Sequence, residues 1–261
     1  MAHVTLISFA PVKGLGLSHP ESVDLTECGV RADRRFFLTG EGGRLLNGKS
    51  AGQLVQVTAV GGADGATLEL RFPDGSVVSG EVEPGELVHT DFYGQRVPGR
   101  VVAGPFGAAL ASFAGRTLRL VRAEGEVGGV DRGRRGSVSL VSTGSLGRLA
   151  EEGGVELVDS RRFRMLFMIE GVEAHEEDGW LGQEVAVGEA LIRPNGLVGR
   201  CAVTTHDPDT GVPDLDTLRL LRAYRSSVPT DEPLPFGIWG EVLRPGRAAV
   251  GDEVSVAAAR A

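Results

Sequence analysis

Residues 57–83 read VTAVGGADGATLELRFPDGSVVSGEVE, in which three short strand-like stretches are separated by two turn signals. The separators are Ala-Asp-Gly-Ala at 63–66 and Pro-Asp-Gly-Ser at 73–76. Asp-Gly pairs tolerate the positive φ angles that tight hairpin turns require, and alternation of apolar and polar residues is typical of half-buried strands. This stretch therefore predicts consecutive β-hairpins.

The same pattern recurs along the rest of the chain. Short runs rich in β-branched residues and bounded by turn residues stand at 54–60, 66–72, 76–82, 117–123 and 253–259. The 261 residues include 39 glycines, so turn residues are available between all of these runs. We therefore expect a mostly β protein of the α+β class.

Helical signals are fewer. Apolar spacing near 3.6 occurs at 107–115, 143–154 and 214–225. In the third stretch, either Asp214 or Asp216 can cap the first turn by accepting a hydrogen bond from a free N–H group. Leu218, Leu221 and Tyr224 would then share one apolar face. These stretches predict a few short helices beside the strands.

The charge and composition exclude several kinds of partner. A net charge of −8 disfavours contact with nucleic acid, whose phosphates repel an acidic protein. No apolar run approaches the roughly 20 residues of a membrane span, and no secretory leader is evident. The two cysteines, Cys28 and Cys201, do not make a disulfide framework. We therefore expect a cytoplasmic protein with neither a nucleic acid partner nor a membrane span.

The stretch GRCAVTTHDPDTG at 199–211 contains the most informative cysteine. Arg200 precedes Cys201, and a neighbouring cation favours the thiolate form of a cysteine. The alternative is that Cys201 is a small buried apolar residue. His206 lies near enough in sequence to form a Cys-His pair, but the histidine and cysteine spacing does not match a zinc site. Asp207 and Asp209 have the chemistry of a turn, although Asp207 is also a candidate for proton transfer.

Other charged stretches have both a functional and a solvated interpretation. Lys13 and Arg34 stand at predicted strand ends, where cations can bind an anion. The glycine-rich stretch 123–137 is predicted to be a loop whose arginines could face the site. Residues 176–180, Glu-Glu-Asp-Gly-Trp, are interpreted as a solvated acidic loop anchored by Trp180, with a gate or a partner site as the alternative.

Taken together, several motifs resemble those of MOSC proteins, in the same order. They are FAPVKG, GVRADRRFFL, STGSLGRL, RRFRMLFMIEG, EEDGWLG, GRCAVTTHDPDTG, DTLRLLRAYR and PFGIWGEVLRPGRAAVGDEV. The resemblance covers nearly the whole chain and implies two β-barrel-type domains. It places the N-terminal MOSC-associated β-barrel domain at 1–118 and the MOSC domain at 119–259.

The resemblance also implies a molybdenum cofactor site. Cys201 matches the family cysteine that ligates molybdenum, and a soft thiolate suits that metal. His206 and Asp207 would lie near the metal as candidate catalytic groups. The residues implied to bind the pterin and its phosphate are Lys13, Gly14, Arg34, Lys49, Ser142, Ser145, Arg164, Arg200 and Thr204.

This chain departs from the family pattern at several of these positions. Gly14 stands where relatives often have serine, and Lys49 stands where they have arginine, so a charge remains without the guanidinium fork. Met165 and Leu166 replace a Pro-Asn pair, which predicts an apolar wall in place of a polar contact. His206 replaces an apolar β-branched residue and adds a titratable group, whose alternative role is a hydrogen-bonded bystander.

The resemblance leaves three functions open. The first is a molybdenum-dependent oxidoreductase that removes oxygen from N-hydroxylated or N-oxide small molecules. It would take electrons from a separate ferredoxin- or flavin-type partner, because the chain has neither a cysteine quartet for an iron–sulfur cluster nor a nucleotide fingerprint. The second is sulfur transfer or carbon–sulfur cleavage through a persulfide on Cys201. The third is a non-catalytic carrier of the cofactor.

Overall fold

A computed structural model describes residues 1–62, 64–125 and 133–257. Within these ranges the chain forms eighteen strands and three α-helices. The first nine strands are β1 Ala2–Ile7, β2 Ser22–Thr26, β3 Gly29–Val30, β4 Phe36–Thr39, β5 Leu45–Leu46, β6 Thr58–Gly61, β7 Thr67–Arg71, β8 Val77–Glu81 and β9 Pro84–Phe92. The others are β10 Gln95–Val102, β11 Arg119–Ala123, β12 Val138–Ser142, β13 Phe167–Glu170, β14 Val185–Val187, β15 Ala190–Gly199, β16 Pro235–Arg244, β17 Gly246–Ala249 and β18 Glu253–Val256. The expectation of a mostly β protein is confirmed.

The helices are short. They are α1 Pro105–Ala114, α2 Thr143–Gly153 and α3 Thr217–Arg225. Six 3-10 turns occupy Glu41–Gly43, Gly52–Gln56, Arg134–Gly136, Ser160–Phe163, Glu176–Trp180 and Ala202–Thr205. The Asp216 side chain caps α3 by accepting from the Arg219 N–H at 3.0 Å. All three predicted helices are therefore present, each within a few residues of its expected bounds.

A closed seven-stranded barrel forms the first core. Its strand order is β1-β13-β12-β16-β15-β14-β18, and within it β12 and β13 run parallel. Inward side chains such as Val4, Phe167, Val185 and Val187 are fully buried. Their alternation with outward residues along each strand follows from the two-residue period of the strand.

The second core lies between smaller sheets. One sheet has five strands in the order β5-β4-β11-β10-β9, and another has three in the order β6-β7-β8. Phe36, Phe106, Leu110 and Leu120 fill the space between these sheets and α1. The Pro73 to Ser76 turn joins β7 and β8 as predicted, with Gly75 at a φ of 85°.

The first three strands of the chain lie in the same sheets as strands from its C-terminal half. β1 pairs with β13 on one side and with β18 on the other, so it closes the barrel. β2 pairs with β17 in a three-stranded sheet that also contains β3. Residues 1–30 therefore contribute strands to sheets that are otherwise built from residues after 137. The division of the chain at 118 stays a prediction.

Two local predictions are wrong. The run at 54–60 was expected to be one strand, but its first half lies in the 3-10 turn Gly52–Gln56. Leu54 and Val57 are buried three residues apart, which is the spacing of a 3-10 turn rather than of a strand. The predicted apolar face of α3 is wrong only in part: Leu221 is fully buried and Tyr224 packs against the same cluster as expected, but Leu218 is only half-buried and Leu220 is buried in its place.

Candidate active site

Cys201 opens into a cavity of about 540 Å³ between the two cores. The residue is separated from the end of β15 by Arg200, has extended backbone angles, and immediately precedes the 3-10 turn Ala202–Thr205 with its side chain exposed. The predicted site residues that line this cavity with it are Lys13, Gly14, Arg34, Lys49, Arg164, Arg200 and Thr204. The structure thus brings most of the predicted cofactor residues together around the thiol.

Arg34 and Arg164 tie the two parts of the chain together at the cavity. Arg34 donates to the Arg164 carbonyl at 3.2 Å, and Arg164 donates to the Leu15 carbonyl at 2.7 Å. Both residues have positive φ angles, 49° and 53°, which are uncommon for residues other than glycine. Asp33 is buried, accepts from the Ala10 N–H at 3.1 Å and pairs with Arg34 at 2.6 Å. These contacts fix two guanidinium groups in the cavity wall.

Lys13 and Lys49 add positive charge to the same cavity. Lys13 lies in the turn after β1, where its N–H donates to the Phe36 carbonyl at 2.8 Å. Lys49 is exposed in the loop before the 3-10 turn Gly52–Gln56. Ammonium and guanidinium groups are the usual protein partners of phosphate oxygens. The cavity therefore has a thiol and several cations, which suits a ligand with a thiolate-binding metal and an anionic group.

The Arg200 side chain makes hydrogen bonds to backbone and side-chain atoms around the cavity. It is buried and donates to the Phe163 carbonyl at 3.0 Å and to the Phe236 carbonyl at 2.9 Å. It also donates to Met165 Sδ at 3.0 Å, and its guanidinium lies 5.1 Å from the centre of the Phe163 ring. The Arg200 side chain therefore holds the segment before β13 against the start of β16, next to Cys201.

Met165 and Leu166 form the apolar wall expected from their departure from the family pattern. Both side chains are buried, and both line the cavity. The Leu166 N–H donates to Ser139 Oγ at 3.1 Å, while Met165 is held by Arg200. In this part of the cavity wall a buried thioether and a leucine are present in place of the family's Pro-Asn pair.

Thr204 shapes the turn after Cys201. Its side chain is buried, and its hydroxyl donates to the Cys201 carbonyl at 3.1 Å. The same hydroxyl lies 2.7 Å from that of Thr217, the first residue of α3. Thr204 therefore positions the backbone of the cysteine, and its hydroxyl is occupied by these two contacts.

His206 and Asp207 line a neighbouring cavity of about 250 Å³. The two cavities share wall residues, which are Gly48, Val55, Arg162, Arg164 and Val203. Asp207 accepts from the Thr210 N–H at 2.7 Å and from the Thr210 hydroxyl at 2.8 Å. These bonds hold the pKa of Asp207 below its ordinary value, so its carboxylate is ionised at neutral pH. The geometry is that of the predicted turn.

The turn at 207–211 packs closely on the first part of the chain. Gly211 has a φ of 73°, and a Cβ atom placed there would lie 2.0 Å from the Gly52 carbonyl oxygen. Only glycine permits this approach. The contact brings His206 beside the 3-10 turn Gly52–Gln56, since a Cβ atom on Gly52 would lie 3.2 Å from His206 Nδ1.

Ser142 and Ser145 are not among the described residues that line either cavity. Both are fully buried at the start of α2, and their hydroxyls donate to the Glu177 carboxylate at 2.9 and 2.7 Å. The Ser142 N–H also donates to Glu177, at 3.1 Å. The hydrogen bonds at this helix start are thus made to a carboxyl group of the protein itself, and the structure does not place these serines where the predicted phosphate contact requires them.

The expectation of a solvated acidic loop at 176–180 is wrong for its second residue, Glu177. Glu177 is fully buried, because its carboxylate accepts hydrogen bonds from the start of α2. Burial raises the pKa of Glu177, and the serine hydroxyls oppose this shift. Trp180 is buried as predicted.

Some residues of the Cys201 cavity carried no recognisable signal in the sequence. They are Asn47, Tyr93 and Glu232. Within the predicted loop 123–137, residues 126–132 lie outside the described part of the chain. Arg134 pairs with Glu27, whereas Gly136 and Ser137 reach the cavity wall. Among the described residues, no helix is long and apolar enough to cross a bilayer.

Comparison with known families identifies the chain as a MOSC protein. Residues 1–108 match the MOSC N-terminal beta barrel domain, and residues 127–255 match the MOSC domain. The chain belongs to this family, as the resemblance in its motifs predicted.

Several known proteins are similar to this chain over most of its length. Mitochondrial amidoxime reducing component 2 of Bos taurus is 29% identical over 89% of this chain and 77% of its own length. Molybdenum cofactor sulfurase of Oryza sativa subsp. japonica is 25% identical over 85% of this chain and 31% of its own. The crystal structure of the YuaD protein from Bacillus subtilis covers 98% of this chain and 94% of that chain, at 12% identity and a TM-score of 0.45.

Proposed function

We propose that this chain is a molybdenum cofactor-dependent oxidoreductase that removes oxygen from N-hydroxylated or N-oxide compounds, with Cys201 as the protein ligand to the metal. The observation that carries the proposal is the exposed Cys201 thiol in a cavity that also contains Lys13, Arg34 and Arg164. A thiolate is a soft ligand suited to this metal, and the cations suit the phosphate of the pterin.

The residues present fit such a cofactor. Arg34 and Arg164 are each fixed by a backbone carbonyl, so they bind an anion without first losing side-chain freedom. The cofactor, when bound, would supply the two-electron redox chemistry. The protein would supply the thiolate, the cations that hold the cofactor's anionic group, and the wall of Met165 and Leu166 beside it.

The reaction needs electrons and protons from outside the cavity. Reducing an N–OH group to N–H consumes two electrons and two protons and releases water. A separate ferredoxin- or flavin-type protein is proposed as the electron donor. His206 and Asp207 lie in the adjoining cavity and are the candidate groups for proton transfer. The lowered pKa of Asp207 makes its carboxylate a poor proton donor at neutral pH. The name of the relative from Bos taurus, an amidoxime reducing component, supports this class of reaction.

Metal analysis tests the proposal. Protein purified from a host that makes the cofactor is expected to contain about one molybdenum per chain and to reduce an amidoxime when given a chemical electron donor. Cys201→Ser should lose both the metal and the activity, whereas the matched control Cys28→Ser should keep both. Retained cofactor without reduction of any N-hydroxylated compound would favour a carrier of the cofactor instead.

A second candidate is sulfur transfer through a persulfide on Cys201. The exposed thiol would accept a sulfur atom from a persulfide donor protein and pass it to an acceptor. Similarity to a molybdenum cofactor sulfurase favours this reading. Cyanide-releasable sulfur on wild-type protein that lacks molybdenum, absent from Cys201→Ser, would establish it in place of the oxidoreductase.

A further inference from the structure

The hairpin of β9 and β10 ends in an unusual turn. Phe92 pairs with Gln95, so Tyr93 and Gly94 alone form the loop, with φ angles of 54° and 90°. Two positive φ angles define a type I′ turn, whose first position favours asparagine, aspartate or glycine. A tyrosine there is strained, and strained residues that persist often serve a function.

The residues beside Tyr93 hold the tip of the hairpin. Phe92 anchors the tip, since it is buried and its ring meets that of Phe37 edge to face at 4.9 Å. Asp91 completes the turn by accepting from the Gly94 N–H at 2.9 Å. The Tyr93 side chain, in contrast, is 73% exposed.

Tyr93 nevertheless lines the same cavity as Cys201. It thus places an exposed aromatic surface in the lining of the cavity into which Cys201 opens. A tyrosine ring offers a large flat contact with few rotatable bonds, so little entropy is lost when a planar ligand stacks on it.

We propose that Tyr93 is a stacking surface that selects planar aromatic substrates at the mouth of the Cys201 cavity. The substrate class is N-hydroxylated compounds whose reacting nitrogen is attached to an aryl group or an aryl amidine. This inference rests on the proposed reductase function and adds the determinant of substrate choice. Removing the ring should weaken binding of aryl compounds and leave alkyl compounds unaffected.

The test compares Tyr93→Asn and Tyr93→Phe on benzamidoxime and acetamidoxime. Tyr93→Asn should raise KM for benzamidoxime about threefold to tenfold, the loss expected for one stacking contact, and change KM for acetamidoxime less than twofold. Tyr93→Phe should retain the preference for the aryl compound. The matched control is Leu87→Asn, because Leu87 is 52% exposed on the same hairpin and is not among the residues lining the cavity.

Stability separates this role from a structural one. Asparagine suits the turn better than tyrosine, so Tyr93→Asn should raise Tm while it weakens aryl binding. A damaged fold would lower Tm and weaken binding together, so a higher Tm with weaker aryl binding cannot come from misfolding. A lower Tm, or equal changes in KM for both substrates, would overturn the proposal. So would loss of pterin from Tyr93→Asn, since the ring would then stack on the cofactor.

Calorimetric binding of the two amidoximes to the purified protein gives a readout that is independent of turnover. If molybdenum-loaded wild type reduces neither compound, the proposed reductase function fails. A weaker Kd for benzamidoxime alone in Tyr93→Asn would still support the stacking surface in that case, and an unchanged Kd would overturn it.

Discussion

Arg162 and Asp214 form a two-point ion pair, with both nitrogen–oxygen distances at 2.6 Å. The arginine belongs to the 3-10 turn Ser160–Phe163, and the aspartate stands between the Cys201 turn and α3. The neighbouring Arg161 makes the same kind of pair with Asp209, at 2.6 and 2.9 Å. Two consecutive arginines therefore hold the segment that follows Cys201.

Asp214→Asn is expected to destabilise the protein. The Arg162 side chain is only 8% exposed and would lose its carboxylate partner, while the 42% exposure of Asp214 reduces the effect. We expect a loss of about 1–2 kcal/mol in the free energy of unfolding by urea. The control is Arg71→Ala, which breaks the exposed Arg71–Glu69 pair and should change stability by less than about 0.5 kcal/mol. Equal losses of stability in the two variants would contradict a stabilising role for the Arg162–Asp214 ion pair.

Arg200→Lys should be more damaging than its conserved charge suggests. A lysine cannot bond the Phe163 and Phe236 carbonyls and Met165 Sδ together, so buried acceptors lose their donor. We expect a loss of about 2–4 kcal/mol in unfolding free energy and reduced molybdenum content. Stability equal to that of wild type would show that the guanidinium fork is not needed.

Glu177→Gln should change how stability depends on pH. Because the pKa of Glu177 is raised above its ordinary value of 4.5, the folded state binds more protons than the unfolded state over the interval between the two values. This carboxyl therefore lowers stability as pH rises from 4.5 through its folded pKa. Urea midpoints measured from pH 4 to 8 should show this fall in wild type relative to the variant. Parallel curves would contradict it.

His175→Gln tests the opposite pH dependence of stability, that of a group whose pKa is lowered by folding. Burial, together with the charges of Arg225 and Arg148, lowers the pKa of His175 to about 4, so the folded state binds fewer protons than the unfolded one. Its contribution to stability is lost as pH falls from 6.5 towards 4. The variant should lose less stability than wild type over this window. An NMR titration that gave His175 a pKa near 6.5 would refute the argument.

The parts of the fold predicted from sequence are those set by local chemistry. The Asp74-Gly75 turn and the Asp216 cap depend on residues within three positions of each other, so their pattern is visible in the chain. The 3-10 turn Gly52–Gln56 was missed because Leu54 and Val57 suit a strand equally well until their tertiary neighbours are known.

The site was only partly predictable for a related reason. Cys201 and the cations were recognised by their motifs, but the partners of their neighbours lie far along the chain. Ser145 bonds to Glu177, 32 residues later, and Arg200 to the Phe236 carbonyl, 36 residues later. Nothing local indicates that such side chains face inward. The sequence did not identify Tyr93 as a cavity residue, because the cavity that it lines is built from residues far from it along the chain.

Barrel closure by β1 bears on how the protein folds. Ala2 pairs with Val254 and His3 with Glu253, so the strand that closes the barrel pairs with one far away in the sequence. Contacts of such long sequence separation form slowly, so we expect closure to be a late step of folding. Until then β13 and β18 present unpaired edges that can join other chains. Residues 119–259 expressed alone keep those edges open, and we expect them to aggregate unless the β1 peptide is supplied.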